Sequence, residues 1–434
     1  MKTKRIILSL MLLVMTITYN IALGQISQGG VPYSFEADYK RKSGAEITLS
    51  DTVPVIKMPQ ISQSAIYSIK EKNKRQEIFQ FAYGFETNID VKQKAVVDSL
   101  DVGLLYRLSI KSSYAYSLNI IFKKYKLPRG AKLFIYSMDK QDLKGAYTSN
   151  NNKESEILST IPVKGDEIII EYFEPYYSDF NGKLTIGKVS HDFVDILNTE
   201  DCDDCDDFGS SGNCQVDINC QEGDDWQDEK RSVLRILLNG DTWCSGVLLN
   251  NTNEDGTPYV LTANHCTCAE TDIDKYCFIF NYESPSCNGP DGSIAQSICG
   301  GTLRATRAES DFTLIELSLT PLSTYTPFYA GWDRNDAQGA GGVGIHHPSG
   351  DVKKISTFTM IPDDSECFDF NYSPTGCNST FYPNDNFYQI NWVATANGHS
   401  VTEGASSGSP LFNNDGRVIG QLFGAGSCDN PNCN

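Results

Sequence analysis

Gly404-Ala405-Ser406-Ser407-Gly408-Ser409-Pro410-Leu411-Phe412 contains two candidate serine nucleophiles, and each implies a different architecture. Ser406 is the centre of a Gly-x-Ser-x-Gly pentapeptide, the pattern of a strand-to-helix elbow on an α/β sheet. In that architecture the acid and then the histidine follow the serine along the chain. Only 28 residues follow Ser406 (434 − 406), and none is histidine. The elbow therefore has no base, and an α/β-hydrolase reading fails. Ser407 remains, in a loop of small residues entering an apolar strand, where backbone N–H groups can converge on one point.

A serine becomes a nucleophile when a base lies within hydrogen-bond reach and a buried carboxylate fixes that base's tautomer. Working outward from Ser407, Tyr259-Val260-Leu261-Thr262-Ala263-Asn264-His265-Cys266 sets His265 directly after an apolar strand. Ser310-Asp311-Phe312-Thr313-Leu314-Ile315-Glu316-Leu317 sets Asp311 at the mouth of an alternating strand. The chain order His265, Asp311, Ser407 is the one that belongs with antiparallel β-barrels. Singly, each has a plainer reading: a structural histidine, a turn or cap aspartate, one of several loop serines. Together, in this order, they point to nucleophilic catalysis. His346 and His347 look like a metal pair, but neighbours on a strand face opposite ways and no His-Glu-x-x-His accompanies them. A structural or subsite role is expected, with no metal and no cofactor. Trp332 reads as core packing.

Composition sets the context. The 434 residues carry 36 Lys plus Arg against 55 Asp plus Glu (36 − 55 = −19), and 14 are cysteine. A chain this acidic lacks the basic footprint that nucleic acid requires. Lys2, Lys4 and Arg5 precede an apolar run over residues 6–15 and the small residues Ala22-Leu23-Gly24, the form of a secretory signal peptide over 1–24. Thr16, Thr18 and Asn20 interrupt that stretch, which is too short for a membrane span. An extracellular protein that pairs its cysteines is expected.

All 14 cysteines fall between Cys202 and Cys433. Charge divides at the same place: residues 25–208 carry 23 basic and 27 acidic side chains (23 − 27 = −4), and 209–434 carry 10 and 28 (10 − 28 = −18). This implies a pro-region or accessory domain over 25–198, an acidic linker over 199–208 and a second domain over 209–434. The run Glu200-Asp201-Cys202-Asp203-Asp204-Cys205-Asp206-Asp207 lacks the βαβ setting of a redox Cys-x-x-Cys, so a disulfide is expected there. Maturation is expected near Gly209, after Phe208.

Both halves read as β structure. Alternation in Ala131-Lys132-Leu133-Phe134-Ile135-Tyr136 and Glu167-Ile168-Ile169-Ile170-Glu171-Tyr172, with turns at Pro128-Arg129-Gly130 and Lys164-Gly165-Asp166, predicts an antiparallel β-sandwich in the first half. His191, the only histidine there, reads as a surface or linker residue. The second half shows short strands at 232–238, 246–249, 259–262, 312–317 and 417–423 with no strong helix, an all-β barrel or sandwich.

Residues 209–434 resemble the trypsin-fold serine proteases and, within them, the bacterial lysyl endopeptidases. Beyond the three site contexts, the resemblance rests on Ser211-Gly212-Asn213-Cys214, Cys220-Gln221-Glu222-Gly223-Asp224, Cys244-Ser245-Gly246, Asn281-Tyr282, Ala330-Gly331-Trp332-Asp333-Arg334, Ile345-His346-His347-Pro348, Val401-Thr402-Glu403-Gly404 and Val418-Ile419-Gly420-Gln421-Leu422. It implies a trypsin-like double β-barrel with its site in the crevice between barrels. Ser407 would be the nucleophile, His265 the general base and then acid, Asp311 its orienting partner, and the backbone N–H groups of Ala405 and Ser407 the oxyanion hole. Protein or peptide substrates cleaved after Lys, with Arg second, and a monomeric zymogen follow. A catalytically inactive disulfide-rich binding module is the alternative. Disulfides Cys214–Cys428, Cys220–Cys287 and Cys244–Cys266 come from the same resemblance. Cys367–Cys377 rests on spacing, and Cys268, Cys277, Cys299 and Cys433 stay unassigned.

Three departures stand out. Ser406 replaces the aspartate with which animal trypsins bind a newly made N-terminus, so activation through an ammonium–carboxylate pair is not expected. Ala405 replaces the family's glycine, which matters if the backbone there needs φ > 0. Phe423 stands where some lysyl endopeptidases carry histidine. The chain also ends before the acidic residue that gives the family its Lys preference, so the second barrel is expected to be truncated.

Overall fold

The structure, a computed structural model, describes residues 28–42, 49–73, 79–197, 211–267, 272–335, 341–360, 363–364 and 387–424. The leader at 1–24, the linker at 199–208, and cysteines 202, 205, 268, 367, 377, 428 and 433 lie outside them.

The first half is a two-sheet sandwich. One sheet runs Val55–Lys57, Gly103–Lys111, Glu167–Pro175, Lys132–Ser137, Leu143–Tyr147, with Val96–Leu100 also on Gly103–Lys111. The other runs Val163–Lys164, Ser117–Lys126, Lys183–Asp192, Ala82–Asp90, with Leu158–Ser159 on Ser117–Lys126. Alternation drives them together: Leu108, Ile110, Ile135 and Ile170 from the first and Ile120, Phe122, Ile186 and Val189 from the second share one buried core. Two helices add to the β pattern. Tyr33–Lys42 packs Ala37 against Leu105 and Phe173, and Gln63–Asn73 buries no side chain.

The second half is also built of strands. A sheet ordered Ser297–Cys299, Cys277–Ile279, Val233–Leu238, Thr242–Leu249, Tyr259–Ala263, Phe312–Leu317, Gly301–Arg307 encloses a core that includes Leu234, Ile236, Val260 and Ile315. A further sheet of Lys354–Phe358, Gly342–His346, Pro410–Asn413 and Val418–Gln421 is present among the described residues. Val233, Val247, Val343, Ile345, Phe412 and Val418 join the two in one cluster. The fold is of the all-β class, with strands dominating both halves and a trypsin-like arrangement following a sandwich.

The halves share structure. Phe79–Gln80 pairs antiparallel with Thr242–Trp243 of the barrel sheet, and the chain then enters the sandwich at Ala82. Phe81 stacks on Trp243 with ring centroids 4.9 Å apart and planes at 18°. Both belong to a core drawn from the two halves, with Ile161, Ile196, Leu237 and Ile279. Lys188 meets Asp241 at 2.6 Å and Lys153 meets Asp274 at 2.6 Å across the junction.

His191 is not a surface or linker residue. It lies in Lys183–Asp192, is 5 % exposed, and its Nδ1 sits 2.7 Å from Ser112 Oγ. Trp332 departs the other way: it is 43 % exposed, its indole N–H donating to the Asn250 carbonyl at 3.1 Å. It forms only an isolated bridge to Val418 rather than a place in a sheet.

Two predictions follow from this packing. Removing the Phe81 ring leaves a cavity beside Trp243, so Phe81→Ala should lower stability by about 3 kcal/mol in urea unfolding followed by tryptophan fluorescence; a loss under about 1 kcal/mol would mean the shared core is not a stabilising contact. Burial holds His191 down at about 4, against a partial upward pull from Asp166. Its contribution is intact above the unfolded-chain value of about 6.5 and is lost as pH falls from there to about 4, because only the unfolded chain takes up the proton, at about 1.4 kcal/mol per pH unit. Asp192, raised to about 6 by burial, works in the opposite sense below that pH. Comparing wild type with His191→Gln isolates the histidine: the variant should show a shallower loss of stability between pH 6.5 and 4, and equal slopes would count against a buried neutral imidazole.

Candidate active site

Strand register brings His265 and Asp311 together. Tyr259–Ala263 pairs antiparallel with Phe312–Leu317, Ala263 opposite Phe312, so the residues one step beyond, Asn264 and Asp311, meet where the ladder opens. Asn264 N–H donates to the Asp311 carbonyl at 2.9 Å. The next N–H, of His265, donates to Asp311 Oδ1 at 2.8 Å, and the imidazole Nδ1 lies 2.8 Å from Oδ2. Both side chains are 1 % exposed. An ionised carboxylate only accepts hydrogen bonds, so this arrangement places the imidazole proton on Nδ1 and leaves Nε2 as the basic nitrogen.

Asp311 reaches this position through a left-handed backbone, φ 47°, closing a turn in which its N–H donates to the Ala308 carbonyl. From the further sheet, Gln421 Nε2 donates to the Asp311 carbonyl at 2.6 Å. The disulfide Cys244–Cys266 ties the residue after His265 to the strand Thr242–Leu249.

The Ser407 loop is fixed to the same strand by Ser245. Ser245 N–H donates to the Ser407 carbonyl at 2.9 Å, Ser245 Oγ donates to the Ala405 carbonyl at 2.9 Å, and Thr262 Oγ1 donates to the Ser245 carbonyl at 2.8 Å. Cys266 Sγ, disulfide-bonded and so carrying no proton, contacts the Ser407 carbonyl oxygen at 3.7 Å. Ser407 is 1 % exposed. Ala405 has φ 71° and is fully buried: the position does require a left-handed backbone, and alanine adopts it. The Phe423 ring meets His265 edge-on at 5.9 Å and Phe387 at 5.0 Å.

His346 and His347 face different partners. His346 Nδ1 is 2.8 Å from Ser406 Oγ and its Nε2 is 2.9 Å from Ser356 Oγ; His347 Nδ1 lies 2.9 Å from the Asp351 carbonyl, and its ring stacks on Tyr282. Burial holds His346 down at about 3 and His347 well below the usual range, with nearby lysines adding to the effect. Both are neutral at physiological pH. No group of three or more metal-ligating side chains occurs among the described residues.

Cys220–Cys287 is bonded, and so is Cys277–Cys299, the pair that sequence spacing left unassigned. The latter becomes visible only through register, because Cys277 and Cys299 stand directly opposite on adjacent strands. Cys214 is also disulfide-bonded. Sequence reasoning did not single out Ser245 or Gln421 individually, although both lie in quoted motifs.

A trypsin-like β-barrel domain with a buried Asp–His pair beside a small-residue serine loop defines the class of a chymotrypsin-fold protease. Residues 208–434 match the lysyl endopeptidase C-terminal domain family, just over half of the chain, and the chain belongs to that family. A lysyl endopeptidase of Pseudomonas aeruginosa is 30% identical over 288 residues, covering 62% of this chain and 57% of that protein. The chain thus spans little more than half the length of this curated relative. Two solved structures show a weaker likeness: the active form of the Rv3671c protease from M. tuberculosis (15% identity, 51% of this chain and 84% of that one, TM-score 0.31), and the apo MamO protease domain from Magnetospirillum magneticum (12%, 46% and 87%, TM-score 0.29).

The loop's close approach to the barrel gives a test. At Gly408, φ +81°, a Cβ would lie 2.3 Å from Thr262 Oγ1 and 2.5 Å from the Ser245 carbonyl oxygen, whereas Gly420 has nothing within 4 Å. Gly408→Ala should cost about 2–3 kcal/mol or more in thermal or urea unfolding, and Gly420→Ala less than about 1 kcal/mol. Equal effects would show that the loop does not sit against Ser245.

Proposed function

We propose that the chain is a secreted serine endopeptidase precursor that hydrolyses peptide bonds through Ser407, His265 and Asp311. The observation that carries this reading is the doubly bonded Asp311–His265 pair, linked through Thr262 and Ser245 to the Ser407 loop. In this mechanism Ser407 Oγ bonds to the scissile carbonyl carbon as its proton passes to His265 Nε2. Asp311 stabilises the resulting imidazolium, and the carbonyl oxygen, now an oxyanion, accepts from the Ala405 and Ser407 N–H groups. His265 then gives the proton to the leaving amine, the C–N bond breaks, and water hydrolyses the acyl-enzyme by the same steps in reverse roles. Neither a metal nor a cofactor takes part.

Cleavage after Lys, with Arg second, is supported by family membership and by the relative's name. Residues 25–198 serve as a pro-region, and the protease begins after cleavage near Gly209. Export is supported by the leader sequence and by disulfides, which persist in oxidising compartments. Substrates are proteins or peptides, and the enzyme acts as a monomer.

A fluorophosphonate probe on the full-length protein tests the site without assuming a specificity. Wild type should label; Ser407→Ala should abolish labelling; Ser406→Ala should still label, more slowly. Labelling lost only in Ser406→Ala would favour an esterase elbow, and absence of labelling in the intact wild type would leave the inactive binding module. Peptides differing only in the residue before the scissile bond should then give kcat/KM highest for Lys and next for Arg, and a different order would overturn the specificity.

A further inference from the structure

Ser406 and His346 belong to a hydrogen-bonded circuit that the proposed mechanism does not use. Glu403 N–H donates to Ser406 Oγ at 3.2 Å, so the Ser406 hydroxyl proton is available to His346 Nδ1, 2.8 Å away. On the other side of the imidazole, Ser356 Oγ donates to Ser400 Oγ at 3.1 Å, so it accepts from His346 Nε2–H at 2.9 Å. Ser400 Oγ then donates to Gln215 Oε1 at 2.6 Å, and Gln215 Nε2 donates to Glu403 Oε1 at 2.7 Å. The circuit closes on the residue where it began. Every donor points the same way round, which is the arrangement in which hydrogen bonds polarise one another.

Apart from the half-buried Glu403 the circuit is buried: His346, Ser356 and Ser406 are fully buried, Ser400 is 3 % exposed and Gln215 7 %. It spans four parts of the chain: the strands Gly342–His346 and Lys354–Phe358, the segment before Ser407 that holds Ser400, Glu403 and Ser406, and Gln215 at the start of the second half. Two anchors hold Glu403 from outside the circuit. Gly212 N–H donates to Glu403 Oε1 at 2.9 Å, and Ser349 Oγ donates to Glu403 Oε2 at 2.8 Å. Ser406 stands between Ala405 and Ser407, whose N–H groups form the proposed oxyanion hole.

We propose that His346 is a positioning residue: the closed circuit Glu403–Ser406–His346–Ser356–Ser400–Gln215 locks the Ala405–Ser407 backbone in its oxyanion-binding form. It does so with neutral donors and the Glu403 carboxylate, and it is complete in the uncleaved chain, because Gln215 enters it through a side-chain amide and Gly212 anchors it through a backbone N–H. No newly formed ammonium is needed to assemble the hole. This inference rests on the reading of Ser407 as nucleophile.

The test uses full-length protein and the saturation kinetics of fluorophosphonate labelling, which separate the limiting rate from the half-saturating concentration. His346→Phe keeps the ring volume and removes both hydrogen bonds, and should lower the limiting rate by about 10²–10³ with half-saturation within about threefold. His346→Gln can still accept from Ser406 and donate to Ser356, and should recover to within about tenfold of wild type. Adding Ser406→Ala to His346→Phe should cause less than about threefold further loss, since both break one circuit. Folded His346→Phe protein that labels at the wild-type rate, a loss confined to half-saturation, or fully additive losses would each overturn the proposal. If His346→Phe does not fold, Ser356→Ala carries the decision: a loss of about tenfold or more in the limiting rate supports the circuit and an unchanged rate overturns it. Failure of the wild type itself to label would refute the nucleophile assignment instead.

Discussion

Ser245 has every polar atom hydrogen-bonded, and through them it joins the barrel sheet to the Ser407 loop and to His347. Its N–H reaches the Ser407 carbonyl, its carbonyl accepts from Thr262, its hydroxyl donates to the Ala405 carbonyl, and that same oxygen accepts from His347 N–H. The residue is fully buried, so losing any one of these would leave an orphaned group costing about 1–3 kcal/mol. Two consequences follow from the geometry. The carbonyls of residues 405 and 407 are both turned toward the barrel strand, which fixes the direction of the peptide planes around them. The strand that carries His265 is bound through Thr262 to the same serine, so the two sides of the site are two bonds apart.

Much of this was legible in the chain, and the limit of legibility is physical. The order His265, Asp311, Ser407 could be read from the sequence, because chain order survives folding. Strands such as Phe312–Leu317 could be read from period-two alternation, and the structure buries Thr313, Ile315 and Leu317 on one face. Cys277–Cys299 could not be read, because it depends on which residues of two paired strands stand opposite. The circuit through His346 could not be read either. Its members are ordinary serines, a glutamine and a glutamate whose spacing along the chain ranges from 3 to 188 residues, and nothing local marks them. His191 was misjudged because a single histidine in a polar-looking context carries no sign of the strand face it will occupy. The helix Gln63–Asn73 was missed for a related reason: it buries none of its side chains, so it has no apolar stripe to announce it.

The charge division between the halves has a structural counterpart. The second half holds nearly all the net negative charge, and Lys153 and Lys188 of the first half are seated against its Asp274 and Asp241. Desolvation dominates at both places: burial raises Asp241 and lowers Lys153, each partly offset by its partner. Pairs of this kind add little net stability and are costly when broken. They therefore set the register of the two halves, while Phe79, Phe81 and Trp243 supply the apolar burial that holds them together.

Three of the left-handed non-glycine residues lie at the site. Asp311, Ser349 and Ala405 are non-glycine residues with φ of 47°, 53° and 71°, each a conformation costing on the order of 1 kcal/mol or more. Each is held by a hydrogen bond from another element: Gln421 to the Asp311 carbonyl, Ser349 N–H to the Gly404 carbonyl at 2.6 Å, and Ser245 to the Ala405 carbonyl. Strain at three separate turns around one site persists only where the surroundings over-determine it. Alanine at 405 is tolerated on these terms. A glycine there would reach the same φ more easily but would also be free to leave it, whereas Ala405 buries its methyl in the core shared with the first half. The departure from the family's glycine thus exchanges local backbone ease for a packing contact, and couples the loop to the interface that residues of the sandwich complete.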